Sequence, residues 1–151
     1  MIRDEIKAAL VAAMKGGDKA TTAAIRLIQS EIKNRDIDAR TGGAPADDDV
    51  LVVEVLQKMV KKRRESIEMY QAGGRPELAD AEAAEVAVIE RFLPQMLSAD
   101  ETRAAIATIK AEIGAEGMKD MGRLMAELKA RHGAQLDMSQ ASGLVKEALA
   151  G

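Results

Sequence analysis

A chain of 151 residues, 47% of them hydrophobic, is long enough to bury a core without covalent staples. It has no Cys and no Trp, and Phe92 and Tyr70 are its only aromatics, so disulfide frameworks, thiolate nucleophiles and cysteine-ligated zinc or iron–sulfur clusters are excluded. Twenty-two basic residues against twenty-five acidic ones leave a net charge of −3, which excludes a protein that coats nucleic acid by bulk charge.

The predicted elements are all helical. Alanine supplies much of the apolar fraction and has the highest helix propensity, while β-branched residues are too scattered to alternate as strands. Ile2, Ile6, Leu10 and Met14 recur four apart and predict a first amphipathic helix that stops at Gly16-Gly17. Asp18 is placed to cap a second helix, with Ala24, Ile25, Ile28 and Ile32 inward, running to about Asp38 before Arg40-Thr-Gly-Gly-Ala-Pro45 breaks it. Asp47-Asp48-Asp49 favours the start of a long third helix, with Val52, Leu56, Met59, Val60, Ile67 and Tyr70 on its inner face and an end at Gly73-Gly74. Pro76 opens a fourth helix carrying Leu78, Val86 and Ile89, and the short turn between the two predicts a long antiparallel hairpin.

Leu93-Pro94 is the expected domain boundary, giving an N-terminal helical domain over 1–93 and a small three-helix domain over 94–151. In the second domain Ser98-Ala-Asp-Glu101 has capping-box spacing ahead of Ile106, Ile109 and Ile113, with Gly114 and Gly117 ending that helix. Met121, Met125 and Leu128 mark the next helix, ending at His132-Gly133. Leu144, Val145 and Leu149 mark the last, capped by Asp137 or Ser139.

Catalytic chemistry finds few residues to use. His132 is the only histidine, it sits beside Gly133 where an imidazole caps a helix, and with no thiol the usual triads are absent, so no catalytic residue is assigned. Gly73-Gly74-Arg75 lacks the lysine and hydroxyl of a phosphate loop, and Asp47-Asp48-Asp49 lacks calcium-loop spacing and serves as a cap. No metal and no cofactor are expected.

Cations remain. Lys58, Lys61, Lys62, Arg63 and Arg64 form the densest charge run; Lys61 with Glu65 and Arg64 with Glu68 are four apart, the spacing of helix-surface ion pairs. Arg63 falls instead on the apolar stripe, and counting outward from the Gly73-Gly74 turn predicts an ion pair to Glu82 or Glu85. Lys19, Arg26 and Lys33 are seven apart on the second helix, one face free of acids that is suited to phosphates. In Gly117-Met-Lys-Asp-Met-Gly-Arg-Leu-Met125 the methionines read as core filler. Gly122 implies a close approach of backbone or ligand, with Lys119 and Arg123 flanking the gap as a docking point for an RNA backbone.

Six segments occur together in this order: Arg26-Leu-Ile with Ile32-Lys33, Lys61-Lys-Arg-Arg-Glu-Ser-Ile67, Ala72-Gly-Gly-Arg-Pro-Glu-Leu78, Phe92-Leu-Pro-Gln95, Met118-Lys-Asp-Met-Gly122 and Val145-Lys146. Together they resemble the YqeY family, also called GatB/YqeY-domain proteins, over nearly the whole chain. The C-terminal part is similar to the tail of GatB, a subunit of the tRNA-dependent amidotransferase, whose glycine-and-methionine pattern falls on Gly122, Met125 and Gly133. One departure is Met138-Ser139 after Asp137, where many relatives carry a glycine, often followed by a basic residue.

The resemblance implies a tRNA-binding accessory module, because in the amidotransferase the tail contacts tRNA and the chemistry occurs elsewhere. The residues expected to carry it are Lys119, Arg123, Lys129 and Gly122 in the tail-like part, Lys61, Lys62 and Arg64 in the hairpin, and Arg26 with Lys33 on the second helix. The alternatives are a protein-interaction adaptor for an amidotransferase or aminoacyl-tRNA synthetase and, last, a carbon–nitrogen ligase using glutamine as amide donor. The first twenty residues place Asp4, Glu5 and Lys7 where a signal peptide needs an apolar segment, and no apolar run approaches a membrane span, so the expected location is the cytoplasm, with no membrane partner.

Overall fold

The computed structural model describes residues 1–45 and 47–150; the C-terminal limit expected at Gly151 lies outside them. The described residues form seven α-helices and two short 3₁₀ turns with no strand, so the fold is all-α. The chain divides into two compact units, Met1–Leu93 and Pro94–Gly151.

The first unit holds α1 (Ile2–Lys15), α2 (Lys19–Ala39), α3 (Asp48–Ala72) and α4 (Pro76–Glu90). Polar side chains start α2 and α3 where the orphan amides need acceptors: Asp18 accepts from the Thr21 amide at 3.1 Å, and Asp47 from the Asp49 amide at 2.9 Å. Ile25, Ile28, Val52, Leu56 and Ile89 are fully enclosed, and Phe92, just past α4, is also buried. Leu51, Val53 and Val55 are buried beside the expected Val52, Leu56 and Met59, because α1, α2 and α4 all pack on α3 or its neighbours there. Farther along α3, Val60, Ile67 and Tyr70 are only half-buried.

Two inner-face assignments shift. Met14 is 53% exposed, and Ala13 takes its place in the core. At 3.6 residues per turn a four-residue step slips about 40°, so Met14 lies about 120° from Ile2 around α1, whereas Ala13 lies about 20° from it. In α4, Leu78 is exposed and Ala79 is buried; Leu78 lies about 20° from Ile89 and Ala79 about 20° from Val86 around the helix, so phase alone does not choose between them.

One polar cluster ties three helices together. The Arg3 guanidinium donates to both oxygens of Asp36, at 2.9 and 3.1 Å, and to both oxygens of Asp48, at 2.8 and 3.1 Å. The Ile2 amide donates to Asp49 at 3.0 Å, so the acidic run at the head of α3 is occupied by capping and by α1. Hydrogen bonding from Arg3 holds the Asp48 carboxyl below the usual carboxylate range, against the smaller opposing effect of burial. A lowered folded-state value means that the unfolded chain binds the proton more readily. The contribution is therefore complete above about pH 4 and is lost as pH falls through the folded value. Arg3→Met is expected to cost about 1 kcal/mol at pH 7, a figure discounted for partial exposure of all three side chains. Urea unfolding of both proteins from pH 7 to pH 2 checks this: the difference should shrink toward zero in acid, and a difference independent of pH removes the role assigned to Arg3.

The second unit holds α5 (Ala99–Ile113), α6 (Met121–His132) and α7 (Met138–Ala150), with a 3₁₀ turn at Met118–Asp120 leading into α6 and another at Gly133–Gln135 leaving it. Ser98 and Glu101 form a reciprocal capping box, Gly114 ends α5 in the left-handed region at φ 66°, and Asp137 accepts from the Gln140 amide at 3.2 Å. Ile106, Ile109, Leu124, Leu128, Leu136, Ala141 and Val145 make the core, with Met121 and Met125 packed against it. Lys110 reaches across from α5 to the Ala148 carbonyl on α7, 2.7 Å away, satisfying one of the carbonyls left open at that helix end.

Candidate nucleic-acid interface

A cation serves a phosphate backbone only if the protein has not already used it, so the assigned residues separate by their partners. In the first unit, Arg63 is drawn into the α3–α4 seam. Its side chain is 12% exposed, its Nε lies 2.7 Å from Glu85 Oε2 and 3.9 Å from Glu82 Oε2, and Nη1 donates to the Met59 carbonyl at 3.3 Å. Arg63, Glu82 and Glu85 are thus brought together by the register that the Gly73–Arg75 turn imposes on the two helices. Because Glu85 is 42% exposed, the pair is semi-solvated, and a double-mutant cycle of Arg63→Ala and Glu85→Ala should give a coupling energy of about 1 kcal/mol. A coupling indistinguishable from zero in urea unfolding contradicts this role.

Arg64 pairs with Glu90 of α4 at 2.7 Å rather than with Glu68 on its own helix. A helix-surface pair is worth a few tenths of a kcal/mol, so an acid presented by the neighbouring helix readily displaces it. Lys61 and Lys62 are exposed and have no ion-pair partner among the described residues. On α2, Lys19, Arg26 and Lys33 are also exposed. The only polar contact of the Arg26 side chain among the described residues is a weak one to the Met14 sulfur, 3.9 Å away.

In the second unit the loop before α6 carries an acid among the cations. Asp120 accepts from the Glu116 amide at 3.0 Å and pairs with Arg123 at 3.2 Å. That amide, before any nearby cation, holds the Asp120 carboxyl below its ordinary value and so keeps it charged. Reading Lys119 and Arg123 as a matched pair passed over Asp120, although an acid three residues before an arginine was a visible signal. Arg123 is therefore partly neutralised, while Lys119 and Lys129 are exposed without an ion-pair partner among the described residues. Arg131, not assigned from sequence, bridges Glu112 at 2.6 Å and Glu127 at 3.0 Å and is committed to the fold.

Of the two approaches expected at Gly122, that of backbone is not found: a Cβ built on it meets no atom of the described residues within 4 Å beyond its own turn of helix. It stands in the first turn of α6, where the conformational cost of glycine is smaller than in a helix interior. The space beside it is open. Among the described residues no three His, Cys, Asp or Glu side chains are grouped to hold a metal ion.

Comparison with known sequences follows the same span. The family profile described as Yqey-like protein matches residues 3–149. An uncharacterized protein of Schizosaccharomyces pombe is 30% identical over 93 residues, 62% of this chain and 72% of its own length. The protein named "Altered inheritance of mitochondria protein 41, mitochondrial" is 32% identical over 128 residues in Lachancea thermotolerans, 85% of this chain and 58% of the relative. The protein of that name in Eremothecium gossypii is 32% identical over 133 residues, 88% of this chain and 62% of the relative. The chain thus spans less than two thirds of the length of these last two relatives.

Proposed function

Because this chain belongs to the family of Yqey-like proteins, we propose that it is a tRNA-binding accessory module, working beside a tRNA-dependent amidotransferase or an aminoacyl-tRNA synthetase. The observation that carries this reading is a set of exposed lysines that the protein leaves unpaired among the described residues: Lys61 and Lys62 in the first unit, Lys119 and Lys129 in the second. A solvated ammonium group releases the counterions of a phosphate backbone on contact. Reading of bases has little to work with, since Phe92 is buried and Tyr70 half-buried, so phosphate and shape contacts are the mode proposed. The resemblance of the second unit to the GatB tail supports tRNA as the RNA.

A second reading, an adaptor for the same enzymes, is favoured by two apolar side chains near the α3–α4 turn, Met69 at 74% and Leu78 at 37% exposure. Crosslinking in cells with sequencing of bound RNA separates the two. Enrichment of tRNA supports the module; a crosslinked protein partner with no RNA supports the adaptor instead. No helix among the described residues is long and apolar enough to cross a membrane. The compartment proposed is the cytoplasm, although the Lachancea and Eremothecium relatives carry mitochondrial names.

A further inference from the structure

Along the outer half of α3, Lys58, Lys61, Lys62, Glu65, Glu68 and Met69 recur at the three- and four-residue spacing by which helices pack, yet all six are exposed, Met69 to 74%. At about 100° per residue each lies within about 60° of Glu65 around the helix, so the six form one stripe.

The charges on this stripe are sorted. Three lysines come first and two glutamates follow, and none of the five has an ion-pair partner among the described residues. Arg63 and Arg64, from the same run, are committed to Glu85 and Glu90. This order does not serve α3 itself. Acids toward a helix C-terminus oppose the macrodipole, and lysine ahead of glutamate is the weaker sense of a four-residue pair. Lys61 and Glu65 have that spacing and do not pair.

A stripe whose two halves carry opposite charge fits a copy of itself turned end for end. Laid parallel, two such stripes set lysine on lysine. Laid antiparallel about a two-fold axis level with Arg63, Lys58 faces the partner's Glu68, and Lys61 faces the partner's Glu65 with Lys62 beside it. One register serves both pairs, because positions 58 and 68, like 61 and 65, are centred on position 63. Met69, next to Glu68, then lies over the methylene stem of the partner's Lys58. We propose that α3 pairs in this antiparallel way with α3 of a second copy of the chain. A nucleic acid or an anionic membrane carries one sign only and matches half of this face. The stripe is about 17 Å long and about 10 Å wide, well below the roughly 800 Å² per partner of a stable complex. The association is therefore weak and sensitive to salt. This inference does not rest on tRNA binding.

The test is sedimentation equilibrium of the full chain without RNA, from about 0.05 to 1 mM protein, in low salt and in about 0.5 M salt. A reversible monomer–dimer equilibrium is expected in low salt and a monomer in high salt. Lys61→Glu alone and Glu65→Lys alone should each weaken the dimer at least tenfold. An equimolar mixture of these two variants should associate at least tenfold more tightly than either alone, because every cross-pair between them has opposite signs. No effect confined to one chain can produce that recovery. Both positions are exposed, and unchanged urea midpoints will verify that the variants fold. A monomer at 1 mM protein in low salt overturns the proposal. So does a dimer that survives both single variants, which places the contact on another face, or a mixture that associates no better than its components.

Discussion

Leu56→Ala is expected to lower the stability of the first unit by about 2 to 5 kcal/mol. Leu56 is 0% exposed in the half of α3 that is buried on several sides, so no neighbour can swing in from solvent to fill the space left by the lost carbons. The cost is the transfer of the removed methyl and methylene groups plus the cavity they leave. Tyr70, the only tyrosine, lies on the same helix in a chain without tryptophan, so its fluorescence reports unfolding of this unit. At an m value of about 1 to 3 kcal/mol/M, a mid-range loss of 3 kcal/mol lowers the urea midpoint by roughly 1 to 3 M. Met69→Ala on the same helix removes a side chain that is 74% exposed and should stay within about 0.5 kcal/mol of the parent. Equal effects of the two substitutions contradict the packing described for α3.

The second large effect concerns RNA. Lys119→Gln with Lys129→Gln removes two exposed, unpaired charges from the second unit while leaving its core untouched. Each phosphate contact contributes about 0.7 to 0.9 to the slope of log affinity against log salt. If both lysines contact phosphate, losing them weakens tRNA binding roughly 25- to 60-fold at 0.1 M salt. Arg123→Gln should do less, because Asp120 already neutralises much of that charge. Filter binding with bulk tRNA measures both; an unchanged affinity in the lysine double variant excludes those contacts.

Local features of the fold were legible because they depend on neighbours in the chain. The caps at Asp18, Asp47, Asp137 and the Ser98–Glu101 box follow from short-range donor and acceptor positions, and all four hold. The difference at Met14 comes from counting in steps of four, where the exact helical phase selects Ala13; at Leu78 and Ala79 the phase favours neither, and only the packing of α4 on its neighbours decides. What sequence could not show is which distant acid reaches a given cation. Arg3 finds Asp36 and Asp48 through the packing of three helices, and Arg64 finds Glu90 rather than the nearer Glu68. This is why the candidate interface narrows from a list of cations to those lysines and Arg26 that the fold leaves unpaired among the described residues.

The most direct measurement is tRNA affinity as a function of salt, from 25 to 300 mM. Lys61, Lys62, Arg26, Lys33, Lys119 and Lys129 are six exposed cations without a carboxylate partner among the described residues. A linear plot of log affinity against log salt is predicted. Its slope should fall between about −2, for the pair in the second unit alone, and about −5, for all six. No complex at 25 mM salt, or a slope near zero, contradicts a module that holds tRNA by its phosphates.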